Sequence, residues 1–223
     1  VKCFDLIIAN STFTASSIDE YYNTKFKVIR SGVEIKENIN LDNVSQNIKQ
    51  IVEQPYIFSI SRIEKHKNIE LLEKIAIDIK NINIIVAGKG NDIDYIKSLE
   101  VKYKNIIYVG AINEDEKFYL YKNAKVFSFL PLAEPLGVTT MEALSQNTPV
   151  VAYNNGGPKE IILDKENGFL ANDDKEYIKY IKFILEDKFT INHGKKYIQE
   201  KFSNKRMTSD FIDIFKKVLE GKI

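Results

Sequence analysis

The sequence predicts an α/β fold built on an open, doubly wound parallel sheet, and three observations predict it. Short apolar runs rich in β-branched residues alternate with amphipathic stretches, as repeated strand–helix units require. Several of those runs, at 84–88, 126–130 and 149–153, are almost continuously hydrophobic, which suits strands covered on both faces. Polar and glycine-bearing residues gather just after the runs, where ligands bind in sheets of this kind.

Taken in order, strands are predicted at 5–9 and 27–31, followed by a polar stretch, 34–54, of weak periodicity that reads as a linker. Strands at 56–61, 83–87, 106–109, 126–129 and 149–153 then alternate with helices at 69–79, 92–102, 114–123 and 138–146. After Gly168 the pattern turns helical, at 175–186, 193–201 and 206–220. Phe211, Ile214, Phe215 and Val218 recur at helical spacing in the last of these. No internal repeat is visible. The expected organisation is a small first piece (1–35), a linker (36–54) and one main domain (55–223).

At 223 residues the chain is long enough to bury one substantial core. The net charge of +1 argues against a dedicated nucleic-acid or anionic-membrane surface, leaving room for a local basic pocket. A lone cysteine, Cys3, excludes an internal disulfide and a cysteine-based zinc site. No apolar run is long enough to span a bilayer and no signal-peptide pattern opens the chain, so a cytoplasmic location is expected. Because the first residue is Val, the chain is expected to be a piece of a longer protein.

Two segments carry the chemistry. Arg62 falls at the end of the strand 56–61 and Lys67 just before the next helix. Two fixed cations on one loop can clamp a diphosphate, Arg as a planar fork and Lys as a compact point charge. Taken singly, either reads as a solvated surface charge. The second segment follows the strand 126–129 and enters a helix near Gly137 or Val138. Free amides at a helix start, with glycine allowing close approach, make a phosphate site. Glu142, one turn into that helix, could accept hydrogen bonds from both ribose hydroxyls. Glu134 precedes the helix, near where a sugar on that phosphate would sit. Equally, Glu142 could be an acid favoured by the helix dipole and Glu134 an ordinary loop carboxylate.

Seven residues separate Glu134 from Glu142, with Gly137 three after the first and Ala143 after the second. That pattern resembles the family 4 retaining glycosyltransferases of the GT-B fold, and other motifs follow in the expected order. Ser61-Arg62 with Lys67-Asn68 resembles the family's Arg-x4-Lys diphosphate clamp. Val86-Ala87-Gly88-Lys89-Gly90 resembles its strand-then-Gly-x-Gly turn, and Val109-Gly110-Ala111-Ile112 the strand end that meets the base. Thr148-Pro149-Val150, Gly156-Gly157-Pro158-Lys159-Glu160 and Asn167-Gly168-Phe169 complete the series. The opening, Asp5–Ser11 and Val28–Val33, is similar to the end of the family's first domain, so the likeness covers nearly the whole chain.

The resemblance implies a Rossmann-like domain, the C-terminal half of a GT-B enzyme, followed by C-terminal helices. It implies that Arg62 and Lys67 neutralise the leaving nucleoside diphosphate in place of a metal, so that no metal or other cofactor is expected. Amides at Leu136, Gly137 and Val138 would hold the distal phosphate. Glu142 would hold the ribose, Ile112 would meet the base through its backbone, and Glu134 would contact the donor sugar without acting as a nucleophile. Glu134-Pro135-Leu136-Gly137 and 153–158 look most like mannosyltransferase versions of these motifs, favouring GDP-mannose over a UDP-sugar. The acceptor, a glycan or a lipid-linked sugar, would be reached through a first domain that is mostly absent, together with the histidine often found there. The whole enzyme would be cytoplasmic, extending to the inner face of a membrane by peripheral association. Two alternatives are a non-catalytic nucleotide-binding module of a split enzyme and another GT-B enzyme such as a nucleotide-sugar epimerase.

Asn147 stands where the family often has Gly; Asn tolerates the left-handed conformation, so the turn should survive. Ser61 replaces another frequent Gly. His66 and His193 are assigned no role. Tyrosines at 21–22, 119, 121, 177 and 180 read as half-buried packing rather than stacking platforms.

Overall fold

A computed structural model describes residues 6–22 and 26–222. A two-stranded parallel sheet comes first, formed by β1 (Ile7–Ala9) and β2 (Phe26–Val28) with α1 (Thr12–Tyr22) between them. The predicted first strand overlaps β1, and its opening residue lies outside the described residues. Helix α1 was not predicted: its sequence, Thr-Phe-Thr-Ala-Ser-Ser-Ile-Asp-Glu-Tyr-Tyr, lacks a continuous apolar stripe.

The expected linker is structured. It holds a 3-10 turn at Leu41–Asn43 and a short helix, α2 (Gln46–Ile51), with Val44 and Ile48 buried in the main core. Polar side chains fasten it. Asp115 accepts from the Asn40 amide at 2.9 Å and from Asn43 Nδ2 at 2.7 Å, and Lys36 Nζ lies 2.8 Å away. Neighbouring Glu116 accepts from the Ser45 amide at 3.2 Å. Such anchors carry no hydrophobic period, which is why the segment reads as a linker.

The main sheet contains β3 (Tyr56–Ile60), β4 (Asn83–Ala87), β5 (Ile106–Gly110), β6 (Val126–Ser128), β7 (Val150–Tyr153) and β8 (Gly168–Ala171). All pairings are parallel, in the order β5-β4-β3-β6-β7-β8. The chain thus winds outward from β3 in one direction, returns beside it with β6 and winds outward in the other. Between the strands run α3 (Leu71–Asp78), α4 (Ile93–Lys102), α5 (Glu114–Asn123), α6 (Val138–Ser145) and α7 (Pro158–Ile161). Strand β8 was unforeseen: Gly-Phe-Leu-Ala is short, and its strand character comes from pairing with β7. The predicted late helices appear as α8 (Asp174–Leu185), α9 (Gly194–Lys201) and α10 (Asn204–Leu219).

Successive strand residues feed opposite layers, as a pleated strand dictates. Tyr56 and Phe58 join one core cluster with Phe127, Met141 and Leu144, while Ile57 joins another with Ile75, Ile84 and Tyr177. Tyr121 and Tyr177 are wholly buried rather than half-buried. Asn147 takes φ 59, so the turn before β7 adopts the left-handed conformation expected of it.

Candidate functional site

The reversal of strand order falls between β3 and β6, and open parallel sheets bind ligands at that crevice, outside the carboxyl ends of the strands. A cleft of about 400 Å³ lies there. Ser61, Arg62 and Lys67 line it from the loop after β3; Phe129, Glu134, Leu136, Gly137 and Val138 line it from the loop after β6 and the start of α6. Asn10 and Ser31 complete it from the two-stranded unit.

The β3 loop is braced on both sides. The Ile63 amide donates to the Lys89 carbonyl at 2.8 Å, and the Ile63 carbonyl accepts from the Asp92 amide at 3.0 Å. Arg62 can therefore project while its backbone stays fixed: its side chain is 66% exposed, with Glu64 3.7 Å away. Lys67 ends a 3-10 turn, Lys65–Lys67, capped by Asn68 in the left-handed region at φ 57. Asn68 Nδ2 donates to the Leu130 carbonyl at 3.0 Å, fastening this turn to the β6 loop. Lys67 itself is 12% exposed, and its Nζ lies 2.7 Å from Glu134 Oε2. The lysine of the predicted clamp and the first predicted glutamate thus meet, but as an ion pair.

Helix α6 starts at Gly137, whose φ of 90° and ψ of 58° no bulkier residue adopts comfortably. Thr140 closes the first turn by donating through its amide at 3.0 Å, and through its hydroxyl, to the Gly137 carbonyl. The amides of Val138 and Thr139, ahead of it, have no partner within the helix and are available at the cleft. From behind, Gly156-Gly157 presses against this loop. The Gly157 amide donates to the Glu134 carbonyl at 2.7 Å, and a Cβ at Gly157 would stand 2.2 Å from Leu136 Cα. This glycine pair shapes the loop by close backbone contact.

Glu142 and Ile112 do not line the cleft. Glu142 is 8% exposed, one helical turn beyond Val138. Its Oε1 accepts from Lys117 Nζ at 2.8 Å and its Oε2 from Tyr121 Oη at 3.1 Å. Burial, reinforced by Glu142, pushes the Tyr121 phenol well above its usual pKa, so it remains a donor. Lys117 also reaches Glu114 at 2.8 Å; burial works against its charge, yet the two carboxylates hold its pKa above the usual value. Each Glu142 oxygen keeps a lone pair for a further donor. Ile112 is half-buried against the main core just ahead of α5, whose N-cap Asn113 forms a capping box with Glu116. Lys117 and Tyr121 on α5 therefore connect the Ile112 loop to Glu142. Sequence reading missed both partners; the i, i+4 spacing of Lys117 and Tyr121 was the available signal.

Among the described residues, no three His, Cys, Asp or Glu side chains group as metal ligands, and no helix is long and apolar enough to cross a membrane. A larger groove, about 1030 Å³, runs along α8 and β8 over Phe169, Ile178, Phe183 and Phe189. It includes the start of α8 at Asp174 and Lys175 but lies away from the ends of β3 and β6, where open parallel sheets bind ligands, so the switch-point cleft is the better phosphate site.

Strand order and helical layers define the Rossmann-like half of a GT-B glycosyltransferase fold. Sucrose-phosphate synthase from Thermosynechococcus elongatus superposes with a TM-score of 0.83 at 20% identity, covering 97% of this chain and 59% of that one. Anabaena HepE, solved with UDP and glucose, superposes at 0.81 and 20% identity over 95% of this chain and 63% of its own. The model of the glycosyl transferases group 1 family matches residues 42–203, and the chain belongs to that family. It is 26% identical to the alpha-1,3/1,6-mannosyltransferase ALG2 of Dictyostelium discoideum, over 97% of this chain and 62% of that protein. It is 28% identical to an uncharacterized glycosyltransferase of Methanocaldococcus jannaschii, over 96% of this chain and 60% of that protein. The chain spans about three fifths of the length of these relatives.

Proposed function

We propose that this chain is the donor-binding part of a retaining glycosyltransferase that moves a sugar from a nucleoside diphosphate sugar to a glycan or glycolipid acceptor. The observation that carries the reading is the cleft between β3 and β6. There Arg62 and Lys67 stand beside the glycine-started α6 and across from Glu134.

As the bond from sugar to phosphate breaks, negative charge grows on the leaving diphosphate. A fixed cation about 4 Å away stabilises it by roughly 1–4 kcal/mol, depending on how far water is excluded. Arg62 and Lys67 supply such cations and take the part of a divalent metal. Amides at Leu136, Gly137 and Val138 hold the distal phosphate. Released from Lys67, Glu134 would accept hydrogen bonds from the sugar hydroxyls. Glu142 uses its remaining lone pairs on the ribose, and the backbone at Ile112 meets the base.

GDP-mannose is the favoured donor, supported by the mannosyltransferase relatives and by the sequence around Glu134 and Gly156. A UDP-sugar is the second reading, because the structurally similar HepE was solved with UDP and glucose. The acceptor, and peripheral association with the inner face of a membrane, are proposed for the whole enzyme.

Calorimetric titration with GDP, UDP and ADP, on the unaltered chain and on Arg62→Ala and Glu142→Ala, tests this. Preference for one diphosphate, lost in both variants, supports the site and names the donor class. A folded chain that binds none of the three would refute the donor-binding reading.

A further inference from the structure

Glu160 sits in the single turn of α7, beyond every residue assigned to the donor, with a side chain only 14% exposed. Its two oxygens divide their work between the ends of the two-stranded unit. Oε1 accepts from the Phe13 amide at 3.0 Å, at the start of α1. Oε2 accepts from Arg30 Nε at 3.0 Å, two residues past the end of β2, and Arg30 Nη2 lies 2.9 Å from it. Helix α1 has no acidic residue in its own first turn, so the negative charge favoured at a helix start comes from another element. Burial works against the Glu160 carboxylate, yet the Phe13 and Thr12 amides, the Thr12 hydroxyl and Arg30 hold its pKa below the usual value.

On its other side α7 belongs to the donor loop. The Gly157 amide ahead of it donates to the Glu134 carbonyl at 2.7 Å. Pro158 and Ile161 are buried, and Pro158 Cγ would lie 3.3 Å from a Cβ placed on Gly137. One helical turn therefore separates the backbone of Glu134 and Gly137 from the contacts that hold the two-stranded unit.

A second attachment lies at residues 32–33. There the Val33 amide donates to the Phe202 carbonyl at 2.8 Å, and Gly32 is pressed against Asn204 at the start of α10. One point alone would leave a pivot; the Glu160 contacts are the second point. The two cleft residues from this unit flank them closely: Ser31 follows Arg30, and Asn10 precedes Ser11, whose Oγ accepts from the Thr14 amide at 3.0 Å.

We propose that Glu160 is a positioning residue, a latch that holds the Asn10–Ser31 wall over the cleft at a fixed distance from Glu134 and Gly137. This rests on the donor-binding reading for its consequence, though not for its existence. The groups placed on the diphosphate and nucleoside (Arg62, Lys67, Gly137, Glu142) lie on the loop after β3 and on α6, held by anchors other than Glu160. Asn10 and Ser31 line the same cleft as Glu134, the residue that the donor-binding reading puts against the sugar. Losing the latch should weaken the sugar-bearing donor far more than the bare diphosphate.

The test compares the unaltered chain with Glu160→Ala and Glu160→Gln, which keeps an acceptor for the Phe13 amide but loses the charge facing Arg30. Hydrogen exchange is read first, without nucleotide. In Glu160→Ala the amides of 13–16 should exchange at least about tenfold faster, while those of β6 and α6 stay within about twofold. Glu160→Gln should fall between. Unchanged exchange at 13–16, or equal acceleration in β6 and α6, overturns the latch, the latter reducing Glu160 to general stability. Titration follows with GDP against GDP-mannose and UDP against UDP-glucose. Glu160→Ala should keep the diphosphate within about twofold and lose at least about fivefold for its sugar ester, with Glu160→Gln partly restored. Equal effects on both ligands overturn the positioning role. A chain with the expected exchange pattern that binds no diphosphate refutes the donor reading and leaves the latch standing.

Discussion

Lys67 and Glu134 face each other across the cleft with Nζ 2.7 Å from Oε2, so the cation expected to meet a diphosphate is already engaged by the carboxylate expected to meet a sugar. Any anionic ligand must compete with that carboxylate for Lys67. Glu134→Gln should therefore tighten binding of the bare diphosphate by about three- to tenfold, and Lys67→Ala should weaken it at least about tenfold. Calorimetric titration with GDP and UDP reads both effects. Looser binding in Glu134→Gln would show that the pair does not restrain Lys67.

The Lys117–Glu142 pair is shielded, with side chains 14% and 11% exposed. Removing the lysine leaves a largely buried carboxylate that accepts from Tyr121. Lys117→Ala should destabilise the fold by about 1–3 kcal/mol, and the double-mutant cycle with Glu142→Ala should give a coupling of at least about 0.5 kcal/mol. Chemical denaturation of the four proteins provides the comparison. Additive effects would mean that the pair is incidental.

Gly157→Ala should be among the most damaging single changes in the β6 loop. The added Cβ would stand 2.2 Å from Leu136 Cα and 2.5 Å from the Pro135 carbonyl oxygen, both backbone atoms that cannot rotate away. An overpacking loss of about 1–3 kcal/mol is expected, which for a chain of this size lowers Tm by roughly 2–12 °C. Diphosphate binding measured well below the new Tm should fall as well, because the displaced segment carries the α6 amides.

Asp115 predicts an acid dependence for the segment 36–45. The Asn43 side chain, Lys36 and the Asn40 amide hold its pKa at about 2, below the ordinary value of 3.8. A carboxyl with a depressed folded-state pKa stabilises fully above its unfolded value and loses that contribution as pH falls through the folded one. The stability difference between the unaltered chain and Asp115→Asn should be constant above about pH 5 and shrink steadily from about pH 4 to pH 2. Thermal melts across that range read it. A gap undiminished at pH 2 would remove Asp115 as the anchor.

What the sequence by itself determined was what has a strong hydrophobic period. The β-branched runs gave five of the six strands of the main sheet, because a strand covered on both faces must be apolar along its length. The spacing of Arg62 and Lys67, and of Glu134, Gly137 and Glu142, pointed to candidate chemistry just after two strands. The left-handed turn at Asn147 was expected because Asn, which tolerates that conformation, stands where the resembled family often has Gly. Tertiary structure decided what depends on partners distant in the chain. Asp115 and Glu116 turn an apparent linker into packed structure through bonds spanning more than 70 positions. Strand β8 exists because β7 offers an edge, and Tyr121 is a buried donor because Glu142 lies against it. Glu160, one residue of a Gly-Gly-Pro-Lys-Glu run, acquires its role only where folding brings Phe13 and Arg30 to its two oxygens. Hydrophobic period is written along the chain and can be read there; a polar contact between remote segments has no period, and only the folded backbone specifies it.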